Sequence, residues 1–173
     1  MSYSPSNPDL TLSGMLEKYP RRRVLLFKAM EEIMKSFSPF SKETRQLLFA
    51  YTSDLNQCSL CYDFHKAASV ASGIDESVFA ELKTDINSAK IDDKLKPIFT
   101  FIKKLTLTPG KITPEDAQPI FAAGWDEHAY FACVSICAIA NCMNRLVSAL
   151  SVDADPAELN HSDRLLLTLG CAG

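Results

Sequence analysis

The sequence lacks the features that mark several large protein classes. It has 18 Lys and Arg against 21 Asp and Glu, so it lacks the basic surplus of most nucleic-acid-binding proteins. Its longest nearly apolar run, 129–143, is shorter than the roughly 18 residues that span a bilayer, and we interpret it as a buried helix. The polar N-terminus has no apolar stretch typical of a secretory signal. We therefore expect a cytoplasmic protein with no nucleic acid and no membrane among its partners.

The chain also lacks low-complexity segments and obvious linkers. Its 173 residues, 47% of them hydrophobic, are suited to one domain with a sizeable core. We predict a single helical domain over 1–173. It consists of an N-terminal arm (1–19), a core (20–150) and a C-terminal segment (151–173) with a last short helix after Pro156.

Alternating apolar and polar residues, the pattern of half-buried strands, are absent. Helical spacing covers most of the chain, and the helix boundaries are marked by local signals. Ser41 and Thr113 can cap helix N-termini, and Gly73 and Gly124 can end helices. The fold class predicted is all-α, a bundle of about seven helices with a C-x-x-C motif at the N-terminus of a central helix.

That motif comprises Cys58 and Cys61, with His65 one turn later. Residues three and four apart share a helix face, so the three side chains form one stripe. Unpaired backbone N–H groups at a helix start favour an anion and thus a thiolate. His65 can supply or remove a proton beside Cys61. A thiolate there can attack a peroxide or a disulfide, and a second cysteine can convert a sulfenic acid into a disulfide.

Other interpretations of a C-x-x-C pair differ in what they require. A c-type haem site needs His directly after the second cysteine, where this chain has Tyr62. A thioredoxin-like motif follows a strand, whereas the apolar residues before Cys58 have helical spacing. Zinc would have three ligands in Cys58, Cys61 and His65, with no fourth evident. Zinc and a purely structural pair stay open as alternatives.

The segment from about Ser41 to His65, with its C-x-x-C-x-x-x-H motif, resembles the carboxymuconolactone decarboxylase-like superfamily, in particular its alkylhydroperoxidase D-like (peroxidase-related) branch. The resemblance extends by pattern over roughly 20–150 and includes Asn144-Arg145 late in the long apolar helix. It implies an all-helical fold, a homo-oligomer (trimer or hexamer) and thiol-dependent reduction of hydroperoxides. The decarboxylases of the superfamily generally lack the cysteine pair, so lactone decarboxylation is a less favoured function.

The resemblance also implies roles for individual residues. Cys61 would be the peroxidatic thiol, Cys58 the resolving thiol, and His65 part of a proton relay. Such proteins often carry a glutamate twelve residues before the first cysteine, where this chain has Gln46. Gln46 can form hydrogen bonds but cannot act as a base near neutral pH, and Glu43, one turn earlier, is the candidate to substitute for it. They often also have His before the second cysteine, where this chain has Leu60.

The function expected is that of an antioxidant oxidoreductase, a peroxidase that reduces hydroperoxides through a Cys58/Cys61 dithiol–disulfide cycle. No bound cofactor or metal is expected, and an external thiol or dithiol would supply electrons. The alternative is a non-catalytic redox sensor or a disulfide-switched binding protein. The remaining candidate residues are interpreted as core, surface or helix-junction positions: Cys133, Cys137, Cys142, Cys171, Phe49, Tyr51, Phe64, Trp125, His128, His161 and the run 21–23.

Overall fold

The computed structural model describes residues 12–150, which form eight α-helices and two 3₁₀ turns and contain no strand. The helices are α1 (Leu12–Lys18), α2 (Pro20–Lys35), α3 (Lys42–Leu55), α4 (Ser59–Ala71), α5 (Ser77–Thr84), α6 (Lys96–Leu107), α7 (Pro114–Ala122) and α8 (Glu127–Leu150). The 3₁₀ turns are Asp93–Leu95 and Pro109–Lys111. The all-α prediction is confirmed.

The number of helices exceeds the predicted seven because α1 lies inside the segment assigned to an N-terminal arm. Leu12 and Leu16, one turn apart, are both buried, and α1 packs against α2 and α8. Two apolar residues give too little periodicity to reveal a helix in the sequence, so this helix depends on tertiary packing. Residues 1–11 and 151–173 lie outside the described residues, and with them the predicted helix after Pro156, Cys171 and His161.

The local boundary signals operate as predicted. The Ser41 hydroxyl accepts a hydrogen bond from the Thr44 N–H at the start of α3. The Thr113 N–H donates to Asp116 Oδ2 (2.7 Å) at the start of α7, the arrangement of a capping box. Gly73 and Gly124, with φ of 110° and 90°, follow α4 and α7 in the left-handed conformation that glycine tolerates.

Helix α3 lies at the centre of the bundle and packs against α2, α4, α6 and α8. Its middle, 46–53, is buried on every side, as expected for a central helix. Helix α8 is long and apolar enough to cross a membrane by length and composition alone. It packs against α1 to α4, α6 and α7, and a core helix passes the same composition test. These two helices, together with α4, surround the C-x-x-C motif.

Candidate redox site

The turn between α3 and α4 places the first cysteine. Gln57 adopts a left-handed conformation, φ 57°, and is the only non-glycine residue among 12–150 with positive φ. Its N–H donates to the Asp54 carbonyl (2.9 Å), and the Cys58 N–H donates to the Ser53 carbonyl (3.0 Å). This pair of bonds is a Schellman motif, which usually has glycine in the left-handed position. The motif ends α3 and directs the chain into α4 with Cys58 at the N-cap.

Replacing Gln57 by glycine is expected to stabilise the protein. A non-glycine residue in the left-handed region costs about 1–2 kcal/mol, and part of the gain is offset by the greater entropy of glycine in the unfolded chain. We expect Gln57→Gly to raise the free energy of unfolding by about 0.5–1 kcal/mol in urea titrations. The control is Ser59→Gly, two residues later inside α4, which should destabilise because glycine weakens a helix.

The two motif cysteines come within 3.2 Å of each other, and no disulfide joins them. Cys58 precedes the first residue of α4 and Cys61 lies in its first turn. Both are buried, with 4% and 2% of their surfaces exposed. The motif therefore stands at the N-terminus of a central helix, and its two sulfurs are close enough for disulfide formation with small adjustments.

The polar groups near Cys58 favour the charged form of its sulfur. The largest contribution comes from the Cys61 side chain, and the Cys61 backbone N–H adds another. Ser148 and Asn144 of α8 supply the remainder. Together they lower the pKa of Cys58 to about 6, although burial opposes the shift. The cysteine pair therefore holds a thiolate at a lower pH than an ordinary cysteine would.

The orientation of Asn144 is fixed by a network of buried amides and hydroxyls. Asn144 Oδ1 accepts from Asn56 Nδ2 (2.9 Å), and Asn144 Nδ2 donates to Ser53 Oγ (3.0 Å). The Ser53 hydroxyl in turn donates to the Phe49 carbonyl (3.0 Å). Because Asn56 occupies the amide oxygen, the amide nitrogen of Asn144 faces α3 and the Cys58 turn.

His65 is fully enclosed on the opposite side of the pair. Its Nδ1 lies 2.6 Å from Gln46 Oε1, and Phe49 stacks on the ring with centroids 3.6 Å apart. An amide oxygen only accepts, so Nδ1 carries the hydrogen and the neutral ring keeps its lone pair on Nε2. Burial lowers the pKa of His65 to about 3. The imidazole is thus neutral at pH 7.

Glu43 lies away from this relay. Its carboxylate is held at the start of α3 by a hydrogen bond with Ser41, which lowers the pKa of Glu43, and its backbone carbonyl accepts from the Ser69 hydroxyl (3.1 Å). Gln46, not Glu43, is the α3 side chain that reaches His65. The suggestion that Glu43 substitutes for the missing acid therefore finds no contact to support it.

The other candidates are placed largely as predicted. Cys133 and Cys137 are buried in the core of the bundle, and burial raises the pKa of Cys133 to about 12, so it is an inert thiol. Cys142 is exposed. Trp125 joins two segments by donating from its indole N–H to the Lys94 carbonyl (2.7 Å). The remaining positions divide between the core (Phe49, Tyr51), its margin (Phe64) and the surface (Arg21, Arg22, Arg23, His128).

The geometry gives no support to a zinc site. Within the described range 12–150, no group of three or more His, Cys, Asp and Glu side chains is arranged to hold a metal ion. His65 directs Nδ1 at Gln46, so this nitrogen does not face a shared metal position with the two cysteines.

Part of the environment of Cys58 is not evident from the sequence patterns. They do not single out Asn56 and Ser148, and they include Asn144 only as half of an Asn-Arg pair. The available signal is the placement of polar residues in an apolar helix, since Asn141, Asn144, Arg145 and Ser148 interrupt the apolar sequence of α8. A polar group in a core helix needs a buried partner, and here the cysteine turn supplies it.

Comparisons with known proteins show the same fold. One similar solved structure is an uncharacterized peroxidase-related protein from Silicibacter sp. TM1040, 22% identical, with a TM-score of 0.68 over 76% of this chain and 70% of that one. A second, from Ralstonia eutropha JMP134, is a peroxidase-related protein described as an alkylhydroperoxidase AhpD core. It is 16% identical, with a TM-score of 0.74 over 91% and 79% of the two chains. No protein-family model and no curated protein matches the sequence. The fold that the motif predicted is confirmed.

Proposed function

We propose that this protein is a thiol-dependent peroxidase of the alkylhydroperoxidase D-like kind, which reduces hydroperoxides through a Cys58/Cys61 dithiol–disulfide cycle. The observation that carries the proposal is the pair itself. Two cysteines lie 3.2 Å apart at a helix N-terminus, and hydrogen bonds lower the pKa of one of them to about 6. A buried structural pair has no need of a thiolate, whereas nucleophilic attack on a peroxide requires one.

The cycle balances with one external reductant. A thiolate attacks the terminal peroxide oxygen, the O–O bond breaks, and the sulfur becomes a sulfenic acid while the alkoxide takes a proton and leaves as an alcohol. The second cysteine attacks the sulfenic sulfur and releases water, which leaves a disulfide. An external thiol or dithiol then reduces the disulfide by exchange. The protein needs no bound cofactor or metal in this scheme.

Assembly and location belong to the same proposal. Leu25, Phe37 and Phe131 are 68%, 89% and 70% exposed, and large exposed apolar side chains of this kind often mark contacts between subunits. They support a homo-oligomer, for which the resemblance suggests a trimer or hexamer. A dithiol cycle operates where thiol reductants are abundant, which is consistent with the cytoplasm.

The proposal is tested by steady-state turnover of an alkyl hydroperoxide with dithiothreitol as reductant. We expect many equivalents of hydroperoxide to be consumed per protein. In a single turnover without reductant, the rate should rise through about pH 6 and level off by about pH 7.5, because the pair then holds its thiolate. A thiol of ordinary pKa would keep gaining activity up to about pH 9. Cys142→Ser is the control and should behave as wild type, since Cys142 lies apart from the motif on the protein surface.

A second candidate function rests on Gln46. Because an amide occupies the position beside His65, the site lacks a carboxylate that would help a histidine shuttle protons through repeated cycles. A redox sensor needs only one oxidation. Consumption that stops at one equivalent of hydroperoxide per protein, with the disulfide left intact in dithiothreitol, would favour the sensor over the peroxidase.

A further inference from the structure

One face of the long helix α8 is left uncovered in the part of the chain that the structure describes. The helix is strongly apolar, yet only 44% of its most apolar 18-residue stretch is buried. One side packs into the core of the bundle, whereas Phe131, Ala138 and Cys142 on the other side are exposed. A helix that is apolar on all sides is normally buried on all sides. This outer face of α8 is therefore suited to a covering partner.

The exposed positions of the outer face repeat at the spacing of paired helices. Phe131, Ala138 and Arg145 recur every seven residues, and all three are exposed. A seven-residue repeat keeps one seam of a helix turned towards a partner helix. Ser135 and Cys142 lie on the same seam, so its centre carries only small side chains. Small side chains at a contact allow two helix axes to approach to about 8 Å.

The two ends of the outer face carry opposite charges. Glu127 is exposed in the first turn of α8, and Arg145 is exposed near its C-terminal end. Arg145 Nη1 donates to the carbonyl (2.9 Å) and to Oδ1 (2.7 Å) of Asn141, which anchors the guanidinium to its own helix. Two identical helices that pack antiparallel place the acidic end of one beside the basic end of the other, whereas parallel packing brings like charges together. The outer face is therefore complementary to itself in the antiparallel orientation.

We propose that a second copy of this chain covers the outer face, and that the two α8 helices pack antiparallel about a two-fold axis at Ala138. Phe131 and Arg145 each lie two turns from that axis, about 10 Å along the helix. The guanidinium of the partner's Arg145 then lies over the Phe131 ring in a cation–π contact, and Glu127 is one turn away.

The contact extends from α8 to the end of α2. Phe37, which is 89% exposed, stacks on His128 with ring centroids 5.7 Å apart. Together with Ile33 and Phe131, these two rings line a shallow cleft between the helices. A single helix face is narrow compared with the roughly 800 Å² that each partner buries in a stable interface. The end of α2 therefore adds apolar area beside the Phe131 end of the outer face.

This inference rests on the homo-oligomer of the proposed function and specifies one of its interfaces. A two-fold contact gives an even number of subunits. A hexamer built from three such pairs fits it, whereas a trimer does not.

The test is disulfide cross-linking of the full-length protein with copper phenanthroline, analysed on a non-reducing gel. Ala138→Cys in a Cys142→Ser background places one new thiol on the axis. Close helix packing brings Cα atoms on the contact line within the roughly 7 Å that a disulfide can bridge, so we expect a covalent dimer. The matched control is Ala80→Cys in the same background. Ala80 is an exposed alanine of α5, and this variant should stay monomeric on the gel.

A second variant tests the same geometry with a native thiol. Ser135 lies three residues before Ala138 and Cys142 lies four residues after it, so the antiparallel pairing brings positions 135 and 142 of the two copies together. Ser135→Cys should therefore cross-link to the partner's Cys142. Adding Cys142→Ser should remove that cross-link.

Charge reversal tests the orientation of the two helices. Arg145→Glu places a carboxylate near the partner's Glu127, and should weaken self-association in sedimentation by at least about tenfold. Glu127→Arg combined with Arg145→Glu exchanges the two charges and should restore association. Rescue of this kind would not follow if Arg145 served only its own helix.

The inference would be overturned if Ala138→Cys and Ser135→Cys cross-linked no faster than Ala80→Cys, or if sedimentation showed an odd-numbered assembly. A monomer that binds vesicles of phosphatidylcholine and phosphatidylglycerol would assign the outer face to a membrane instead. A monomer that does not bind them would assign it to the chain's own residues outside 12–150. Cross-linking uses no hydroperoxide, so turnover without cross-linking would reject the pairing and retain the peroxidase. Cross-linking without turnover would do the reverse.

Discussion

Replacing either motif cysteine by serine is expected to lower hydroperoxide turnover by more than about 100-fold, because a hydroxyl at neutral pH is neither an adequate nucleophile for the O–O bond nor able to close a disulfide. The two variants should differ in what remains. Without reductant, the variant that keeps the attacking cysteine should consume one equivalent of hydroperoxide and stop, since its sulfenic acid has no cysteine partner 3.2 Å away. The other variant should consume none.

The measurement combines steady-state rates with intact-protein mass. After one addition of hydroperoxide, the variant that keeps the attacking cysteine should gain one oxygen at that sulfur, which a sulfenic-acid reagent such as dimedone captures. The other variant should keep its mass. Either variant retaining wild-type turnover would contradict the dithiol cycle, whereas the Cys142→Ser control is expected to leave rate and products unchanged.

The Gln46→Glu variant should change the protonation of His65. A carboxylate would then stand where the amide oxygen now lies, 2.6 Å from Nδ1. A negative charge in contact favours the imidazolium and raises the pKa of a histidine by about 1–3 units. Burial alone sets the present pKa of His65 at about 3. We therefore expect the pKa of His65 in Gln46→Glu to lie between about 4 and 6.

The titration is measured from the ring-proton shifts of His65 by NMR. In the wild type the signal should not move above about pH 4, whereas in Gln46→Glu it should move between about pH 4 and 6.5. The matched control is Gln46→Met, which keeps a side chain of similar size but brings no charge, and it should leave the pKa low. A His65 pKa that stays near 3 in the Gln46→Glu variant would show that the new carboxyl is protonated and that the site excludes charge.

If the pKa rises, turnover becomes informative too. A histidine that can hold a proton near neutral pH could assist Cys61 and reprotonate the leaving alkoxide. A faster Gln46→Glu enzyme would therefore indicate that Gln46 limits the wild-type rate. An unchanged rate would indicate that the reaction does not depend on the charge of His65.

Much of the fold is determined by residues that are close together in the sequence, which is why sequence patterns predict it. Ser41 and Thr113 begin helices by forming capping hydrogen bonds. Gly73 and Gly124 end helices because glycine tolerates a positive φ. Spacing alone also put Cys58, Cys61 and His65 on one face of one helix. Such features depend on residues a few positions apart, and no knowledge of tertiary structure is needed to recognise them.

The electrostatics of the site depend on distant parts of the chain and could not be predicted in this way. Asn144 reaches the cysteine turn across 88 positions from Asn56, and no periodicity links them. The burial of His65 depends on Phe49 and the rest of α3. The motif therefore predicts a candidate redox pair, but the charge on the cysteines and on the histidine depends on the packing of α3, α4 and α8.

The central claim is that Cys58 and Cys61 are oxidised to a disulfide by hydroperoxide and reduced again by thiol. It is tested most directly by adding one equivalent of hydroperoxide to the reduced wild-type protein and mapping its peptides before and after dithiothreitol. We predict that a Cys58–Cys61 disulfide forms with a mass loss of about two hydrogens, and that dithiothreitol removes it. Reduced Cys58 and Cys61 after the addition, or oxidation confined to other cysteines, would contradict the account.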